Sequence, residues 1–240
     1  MNLFFNQNIV FETSSFNFSQ DESRHIFKVL RKTSGDKISV TNGKGLEWLG
    51  ILTKVENKNV TAERISAKII RDTSFKLEIA ISPTKSNERI EWFLEKIIEI
   101  GIKKIHFIKT ENSERKKINI TRLYKIAISA MKQSKQFYLP EINDIISYKD
   151  FIKTTNIEQK FIAHCKNTSK KHIANISLDF KPLIILIGPE GDFSKNEIEL
   201  ALSMGYSPIS LGNQRLRTET AAMCATQTIS TLFHLKKNKL

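Results

Sequence analysis

The chain has 240 residues, 40% of them hydrophobic, and a net charge of +13. This is enough apolar material for one large domain or two modest ones with a buried core. No apolar run reaches the length of a membrane span, the first residues lack a secretory signal pattern, and the two cysteines, Cys165 and Cys224, are too few for a disulfide framework or a zinc site. The composition therefore predicts a cytoplasmic protein that has no membrane segment and needs no metal.

Residues 1–72 are predicted to form a small β-rich domain, either a barrel or a sandwich. Residues 36–41 alternate between polar and apolar side chains, residues 42–45 (Asn-Gly-Lys-Gly) are a turn signal, and residues 46–53 resume a strand pattern. This order is typical of a hairpin. Residues 60–70 supply one or two further strands, and about 70 residues are enough for a small barrel.

A short helix is predicted ahead of the hairpin, over residues 23–31. Its apolar residues are expected on one side, and they are Ile26, Phe27, Val29 and Leu30. Its basic residues are expected to be more exposed, and they are Arg24, Lys28 and Arg31.

Residues 73–240 alternate between strand and helix patterns. The predicted strands lie at 77–81, 105–108, 161–165, 183–187 and 209–211. The predicted helices lie at 87–100, 121–137, between Gly191 and Gly205, and at 219–235, with Ser86 as an N-cap, Gly101 as a left-handed C-cap, and Ser194 and Glu197 at capping-box spacing. Because strands that alternate with helices form parallel sheets, the predicted fold class is α/β, with a mostly parallel sheet covered by helices.

Two glycine-bearing segments follow predicted buried strands. Residues 188–193 (Gly-Pro-Glu-Gly-Asp-Phe) follow one, and residues 211–221 (Leu-Gly-Asn-Gln-Arg-Leu-Arg-Thr-Glu-Thr-Ala) follow the next. Since ligands bind where the carboxyl ends of parallel strands meet, we expect a ligand cradle here. Neither segment has the Gly-x-Gly-x-x-Gly or Gly-Lys-Ser/Thr pattern of a pyrophosphate site. The residues alone therefore predict a nucleoside-binding α/β domain.

Residues 103–136, here called the basic stripe, hold ten Lys or Arg against two Glu. Lysine and arginine gain affinity for a phosphate backbone by releasing condensed counterions, so a polyanion fits this stripe. The alternative is a solvated, lysine-rich face with no partner. Composition alone leaves both interpretations open.

Five groups of residues, in chain order, match one known family. They are His25 to Arg31 with Gly35-Asp36; a helix pattern of Lys85, Arg89, Glu91, Lys96, Glu99 and Gly101; Gln133-Ser134 with Pro140; residues 188–193 with Leu211-Gly212; and residues 216–221. On these residues the chain resembles the RsmE family of 16S ribosomal RNA uracil-N3 methyltransferases, in the SPOUT superfamily. It departs from the family pattern at Gln136 and Tyr138, where arginines are frequent, and at Asp192, where glycine is frequent.

The resemblance implies a PUA-like β-barrel RNA-binding domain over residues 1–72 and a SPOUT trefoil-knot methyltransferase domain over residues 73–240. It also implies S-adenosylmethionine as the cofactor, a homodimer, and 16S ribosomal RNA in the small ribosomal subunit as the partner, with no metal. The cofactor-binding residues that it implies are His164, Ile187, Gly188, Pro189, Glu190, Gly191, Leu211, Gly212, Leu216, Arg217, Thr218, Glu219 and Ala221.

Two of these residues are candidate catalytic groups. The uracil imide must lose a proton as it is methylated, and a cation near its carbonyl oxygens would stabilise the negative charge. The resemblance implies Arg217 for this role or for holding a phosphate, and Glu219 for steering the cationic cofactor or accepting the proton through water. Structural alternatives stay open: an ion pair of Arg217 with Glu190 or Glu219, helix-dipole stabilisation by Glu219, and a purely structural His164.

Further residues are candidate RNA contacts. They are Arg24, His25, Arg31, Arg115, Lys116, Lys117 and Gln133. Two other functions stay open at this point: a knotted methyltransferase with another RNA target, such as transfer RNA, and a non-catalytic RNA-binding or assembly factor that keeps the fold.

Overall fold

Strands and helices are grouped into two units. The computed structural model describes residues 2–73, 75–179 and 181–238. One unit comprises Met1–Thr73 together with Met131–Leu139, and the other comprises Ser74–Ala130 together with Pro140–Leu240. No pattern in the sequence indicates that residues 131–139 belong with the first unit.

A mixed β-sheet makes up most of the first unit. Its strands are β1 (Leu3–Phe5), β2 (Ser15–Asn17), β3 (Lys37–Thr41), β4 (Leu46–Glu56) and β5 (Asn59–Ile69). In the described residues the order is β1-β3-β4-β5-β2, with β1 and β3 parallel and the other neighbours antiparallel. The β3–β4 pair confirms the predicted hairpin, and Trp48 on β4 is fully buried in the core.

The helix before the hairpin differs from the prediction. It begins as α1 (Gln20–Arg24) and continues as a π-helical turn over His25–Val29. Ile26 is fully buried, but Phe27 is 43% exposed and Val29 is 65% exposed. The prediction that the four apolar residues share one side is therefore wrong, because only residues four apart, Ile26 and Leu30, lie on the core side of the helix.

A fully parallel sheet forms the centre of the second unit. Its strands are β6 (Leu77–Ile81), β7 (Lys104–Lys109), β8 (Glu141–Ser147), β9 (Gln159–Ala163), β10 (Lys171–His172), β11 (Leu183–Ile187) and β12 (Ser207–Ser210). In the described residues the order is β10-β12-β9-β11-β6-β7-β8, and every neighbouring pair is parallel. This confirms the α/β fold class. The central strand β11 is buried along its whole length, as its unbroken apolar sequence predicts.

Helices follow strands of this sheet, and a helix is the last element of the chain. They are α2 (Asn87–Ile100), α3 (Ile120–Gln133), α4 (Tyr148–Thr154), α5 (Lys195–Ser203) and α6 (Thr218–Lys237), with a 3₁₀ turn at Ile173–Asn175. Residues of α4 and α5 share a hydrophobic cluster with Ile184 and Leu186 of β11, whereas α6 packs on α2 and on β6 and β11. Within the described ranges, no helix is both long and apolar enough to cross a membrane.

Two of the predicted capping signals are confirmed in full, whereas Ser86 occupies the N-cap position of α2 without a capping hydrogen bond from its side chain. Gly101 has φ +101° at the end of α2, and Ser194 and Glu197 form a complete capping box at the start of α5. Helix α3 ends at Gln133, earlier than the predicted residue 137. The reason is Lys135, whose left-handed backbone (φ +55°) stops the helix.

Candidate active site

Three strands of the parallel sheet end at the same level. In the sheet register Ala163 of β9 lies beside Ile187 of β11 on one side and Ile209 of β12 on the other. The loops that follow these strands therefore meet at one edge, where they surround a cleft of about 750 Å³. A volume of this size is in the range of small-molecule and cofactor sites.

Eleven of the thirteen predicted cofactor-binding residues line this cleft. They are His164, Ile187, Gly188, Pro189, Glu190, Leu211, Gly212, Leu216, Arg217, Thr218 and Ala221. The lining also includes residues that were not named as cofactor-binding. Asp192, Asn213, Gln214 and Arg215 lie inside the two predicted cradle segments, whereas Ala163, Cys165, Lys170, Ile209 and Ser210 lie outside them. All of these except Lys170 lie within two positions of a predicted residue, so the whole of each loop was the signal to follow; Lys170 is six residues from His164. Gly191 and Glu219 are not part of the lining.

The segment between β12 and α6 is fixed to the loop after β11. The hydroxyl of Thr218, the first residue of α6, donates to Gly188 O at 3.0 Å. Arg215 Nη2 donates to Glu190 O at 3.2 Å. These two hydrogen bonds join the two glycine-bearing segments that the sequence placed in one cradle.

Asp192 connects the loop after β11 to the loop after β9. Its backbone is left-handed (φ +63°), a conformation that non-glycine residues rarely adopt. Its carboxylate accepts from Cys165 N and from Phe193 N, each at 2.9 Å. Its backbone carbonyl also accepts from Asn112 Nδ2, at 2.9 Å, in the loop after β7. The departure from glycine at this position therefore keeps the required backbone shape and adds a carboxylate link.

Glycine is required at two lining positions for different reasons. A Cβ atom on Gly188 would lie 3.0 Å from the Phe193 ring, so this glycine allows the loop to pack on its own aromatic residue. Gly212 has φ +137° and open space around it, so the backbone conformation is what demands glycine there. Both positions have structural explanations that hold with or without a ligand.

His164 lines the cleft and has an unpaired ring nitrogen. The side chain is buried, and its Nδ1 atom has no hydrogen-bond partner in the described structure. Burial, followed by the nearby charge of Lys170, lowers the pKa of His164 below its ordinary value. Lys170 Nζ is itself held by His164 O and Lys166 O, both at 2.8 Å. His164 is therefore neutral at neutral pH and can offer a hydrogen bond to a ligand without adding charge.

Arg217 and Glu219 have different surroundings. Arg217 is the N-cap residue of α6, is exposed, and lines the cleft; within the described residues it pairs with neither Glu190 nor Glu219. Glu219 is buried, and its carboxylate lies 3.7 Å from Nε of Arg89 on α2. Its position in the first turn of α6 also suits the helix dipole. The geometry thus favours a structural role for Glu219 and leaves Arg217 available to a ligand.

Comparison with known proteins agrees with this geometry. Residues 71–230 match a family model described as an RNA methyltransferase domain, and residues 18–63 match an RNA methyltransferase PUA domain. A relative from Buchnera aphidicola, ribosomal RNA small subunit methyltransferase E (RsmE), is 30% identical over 231 residues, which cover 92% of this chain and 90% of the relative. The chain belongs to the RsmE family.

Solved structures share the fold of this RsmE chain. A probable rRNA methyltransferase from Porphyromonas gingivalis has a TM-score of 0.92 and 38% identity, covering 98% of this chain and 100% of its own. An RsmE from Neisseria gonorrhoeae, solved with bound S-adenosylmethionine, has a TM-score of 0.85 and 25% identity, covering 97% and 98%. The agreement extends over both units.

The candidate RNA contacts of the RsmE chain lie on both units. Six of them are exposed: Arg24, His25, Arg31, Lys116, Lys117 and Gln133. Arg115 is half-buried, and its guanidinium donates to Thr84 O at 2.9 Å and to Lys85 O. Arg115 therefore holds the loop after β6 in place, which leaves less of its guanidinium for RNA.

Ion pairs neutralise part of the basic stripe. Arg122 lies 2.6 Å from Glu91, Lys104 lies 2.8 Å from Glu141, and Lys132 lies 3.3 Å from Glu22. Lys116 and Lys117 have no ion-pair partner among the described residues. Of the stripe's predicted RNA contacts, these two lysines are the most available to a polyanion.

Proposed function

We propose that this RsmE-family protein transfers a methyl group from S-adenosylmethionine to N3 of a uridine in 16S ribosomal RNA. The observation that carries the proposal is the cleft at the level ends of β9, β11 and β12, lined by both glycine-bearing segments. Support comes from relatives that are named ribosomal RNA small subunit methyltransferases and from the Neisseria gonorrhoeae structure with bound S-adenosylmethionine.

The lining residues suit this cofactor. S-adenosylmethionine supplies a methyl group on a positively charged sulfonium. The cleft presents two carboxylates, Glu190 and Asp192, whose negative charge attracts a cation. His164 adds an unpaired nitrogen, which can take a hydrogen bond from or give one to a polar group of the cofactor.

The charge state of His164 matters for this fit. Its lowered pKa keeps the imidazole uncharged at neutral pH, so no positive charge faces the cationic cofactor from that buried position. Lys170 is also in the lining, but its ammonium is occupied by two backbone carbonyls. Arg215 and Arg217 follow β12 and are exposed; Arg215 donates one N–H to Glu190 O, so Arg217 is the cation more available to RNA.

Arg217 is our candidate catalytic residue. As N3 forms its bond to the methyl carbon, the imide proton is lost, and negative charge spreads onto the two flanking carbonyl oxygens of uracil. An exposed guanidinium on the cleft wall can donate to one of these oxygens or to an adjacent phosphate. Glu219 is not our candidate for the general base, because it lies outside the cleft lining and its Oε1 atom is 3.7 Å from Nε of Arg89.

We further propose the trefoil knot, the homodimer and the cytoplasmic location that the family resemblance implies. The dimer would place two cofactor clefts on one assembly. The cytoplasm is the expected location because the proposed substrate, the small ribosomal subunit, is found there.

The decisive test is nucleoside mass spectrometry. Small subunits that lack the modification are incubated with the protein and S-adenosylmethionine, and 16S ribosomal RNA is then digested. We expect 3-methyluridine to appear. If it does not, while calorimetry still detects binding of S-adenosylhomocysteine, the substrate is a different RNA such as transfer RNA. If neither 3-methyluridine formation nor binding of S-adenosylhomocysteine is detected, the protein is a non-catalytic RNA-binding factor.

A further inference from the structure

The π-helical turn displays an aromatic ring among cations. Leu30 N donates to His25 O at 3.0 Å, which is the five-residue spacing of a π-helix, and such turns are frequent at functional sites. Phe27 lies on this turn and is 43% exposed. Its exposed basic neighbours are Arg24, Lys28 and Arg31. We call Arg24, Phe27, Lys28 and Arg31 the π-turn surface.

The opposite side of the same segment is firmly anchored. Ile26 is fully buried in the core of the first unit. The buried hydroxyl of Ser23 donates to Phe18 O at 3.4 Å and accepts from Val60 N at 3.2 Å. The ring of Phe27 is therefore presented by a rigid backbone, which lowers the entropy cost of binding to it.

The cations of this surface have few competing partners. Arg24 lies 3.6 Å from Asp21, in an exposed pair that contributes little and exchanges easily for a phosphate. Lys28 and Arg31 have no ion-pair partner among the described residues. A single exposed phenylalanine needs no explanation, but one with three exposed basic residues within four positions of it in the chain matches the chemistry of a nucleic acid.

We propose that Phe27 stacks on an unpaired base of single-stranded RNA while Arg24, Lys28 and Arg31 contact the adjacent phosphates. This inference rests on the proposed function, because that function makes RNA the partner. An unpaired base can expose its face to a side chain, whereas the faces of the bases inside an RNA helix are covered by the neighbouring base pairs. The π-turn surface therefore selects single-stranded segments or loops.

The test measures binding of the full chain to three RNA probes by fluorescence anisotropy. The probes are a ten-nucleotide single strand, the same strand with every base replaced by an abasic residue, and a blunt duplex of the same sequence. The variants are Phe27→Ala, Phe27→Leu and Phe27→Trp. Phe11→Ala is the matched control, because Phe11 is 48% exposed in the same unit and lies outside the π-turn surface.

We expect Phe27→Ala to weaken binding to the single strand by about 5- to 100-fold, the range expected for loss of one aromatic stacking contact. Phe27→Leu keeps an apolar side chain without a ring and should lose most of the same affinity, whereas Phe27→Trp should keep it. Phe11→Ala should bind like the unchanged protein. The abasic strand offers phosphates and no base, so Phe27→Ala should bind this strand with nearly the same affinity as the unchanged protein.

Three results would overturn the proposal. They are an unchanged affinity in Phe27→Ala, an equal loss on the intact and abasic strands, and full affinity in Phe27→Leu, which would indicate a general apolar contact. Thermal unfolding of each variant tests for a folding defect. If Phe27→Ala does not fold, Phe27→Leu is the variant that measures the loss of the ring. The measurement needs no cofactor, so a protein that fails to methylate but shows this pattern would refute the proposed function and leave the stacking inference intact.

Discussion

Arg217 is the residue whose replacement bears most directly on the chemistry. Arg217→Ala should lower kcat for 3-methyluridine formation by about 100-fold or more, the usual cost of removing one donor to a developing negative charge. Binding of S-adenosylhomocysteine should fall much less than kcat, because this ligand does not develop the uracil charge that Arg217 is proposed to stabilise. Initial rates and calorimetry measure the two effects. Arg217→Lys, which keeps the charge but loses the forked donor, should recover part of the rate. Methylation at full rate by Arg217→Ala would exclude the role.

Asp192 is the residue where this chain departs from the glycine of its family. Asp192→Gly keeps the left-handed backbone but removes the carboxylate that accepts from Cys165 N. We expect S-adenosylhomocysteine to bind about 2- to 10-fold more weakly, because the loop after β9 must then be ordered on binding. Asp192→Asn retains one acceptor oxygen, so its affinity for S-adenosylhomocysteine should lie between those of Asp192→Gly and the unchanged protein. Calorimetry gives the affinities, and equal values for all three proteins would show that the link does not shape the cleft.

His164 predicts a pH effect on stability. Its folded-state pKa is below the ordinary value of 6.5, so between these two pKa values the unfolded chain binds more protons than the folded one. The contribution of His164 to stability is therefore full above about pH 6.5 and declines as the pH falls through this window. His164→Gln removes the titrating group, so its melting temperature should fall less between pH 7.5 and 5.5 than that of the unchanged protein. Parallel curves for the two proteins would contradict the buried, neutral histidine.

At the scale of elements, the sequence predicted best the strands whose two faces are both buried. Strands β6 and β11 have the predicted bounds: β11 is an unbroken apolar run that is buried along its length, and β6 is apolar at every position except Glu78. The short strands β1, β2 and β10 were not predicted, since two or three residues carry no periodicity. Strand β8 and helix α4 were also missed, because the half-buried residues of β8 show no regular alternation. In the cleft, the sequence identified the loops but not the side chains that join them, such as Asp192 to Cys165, which depend on the sheet order.

The segment 131–139 gives an element-scale prediction. A Cβ atom on Gly45, which has φ +92°, would lie 2.3 Å from the hydroxyl of Tyr138 in that segment. Gly45→Ala should therefore destabilise the protein by roughly 1–3 kcal/mol through backbone strain and by more through the clash. Gly35→Ala is a close control, since Gly35 has φ +94° and nothing within 4 Å of the added atom. Urea unfolding compares the two, and equal losses would show that the Tyr138 contact is unimportant.

For the molecule as a whole, net charge is the property that matters to RNA. Exchanging Lys116 and Lys117 for Ala should weaken RNA binding and reduce its salt dependence by about one in log–log slope for each lysine that contacts a phosphate. Lys149 and Lys153, exposed on α4 and outside the basic stripe, form the control pair with the same change in net charge. The affinity of each double variant for RNA, measured across a series of salt concentrations, compares the two lysine pairs. The same loss in both pairs would mean a general charge effect.

The first unit contains a segment from much later in the chain, residues 131–139, and this has a consequence for how the protein is synthesised. Gly45 N donates to Phe137 O at 2.8 Å, and Leu139 N donates to Gly43 O at 2.9 Å, so the turn between β3 and β4 gains its partners from residues made much later. While the ribosome is still translating the first helices of the second unit, the turn between β3 and β4 lacks these two hydrogen bonds. The first unit can be completed only after residue 139 has left the exit tunnel, so its folding cannot finish in simple amino-to-carboxyl order.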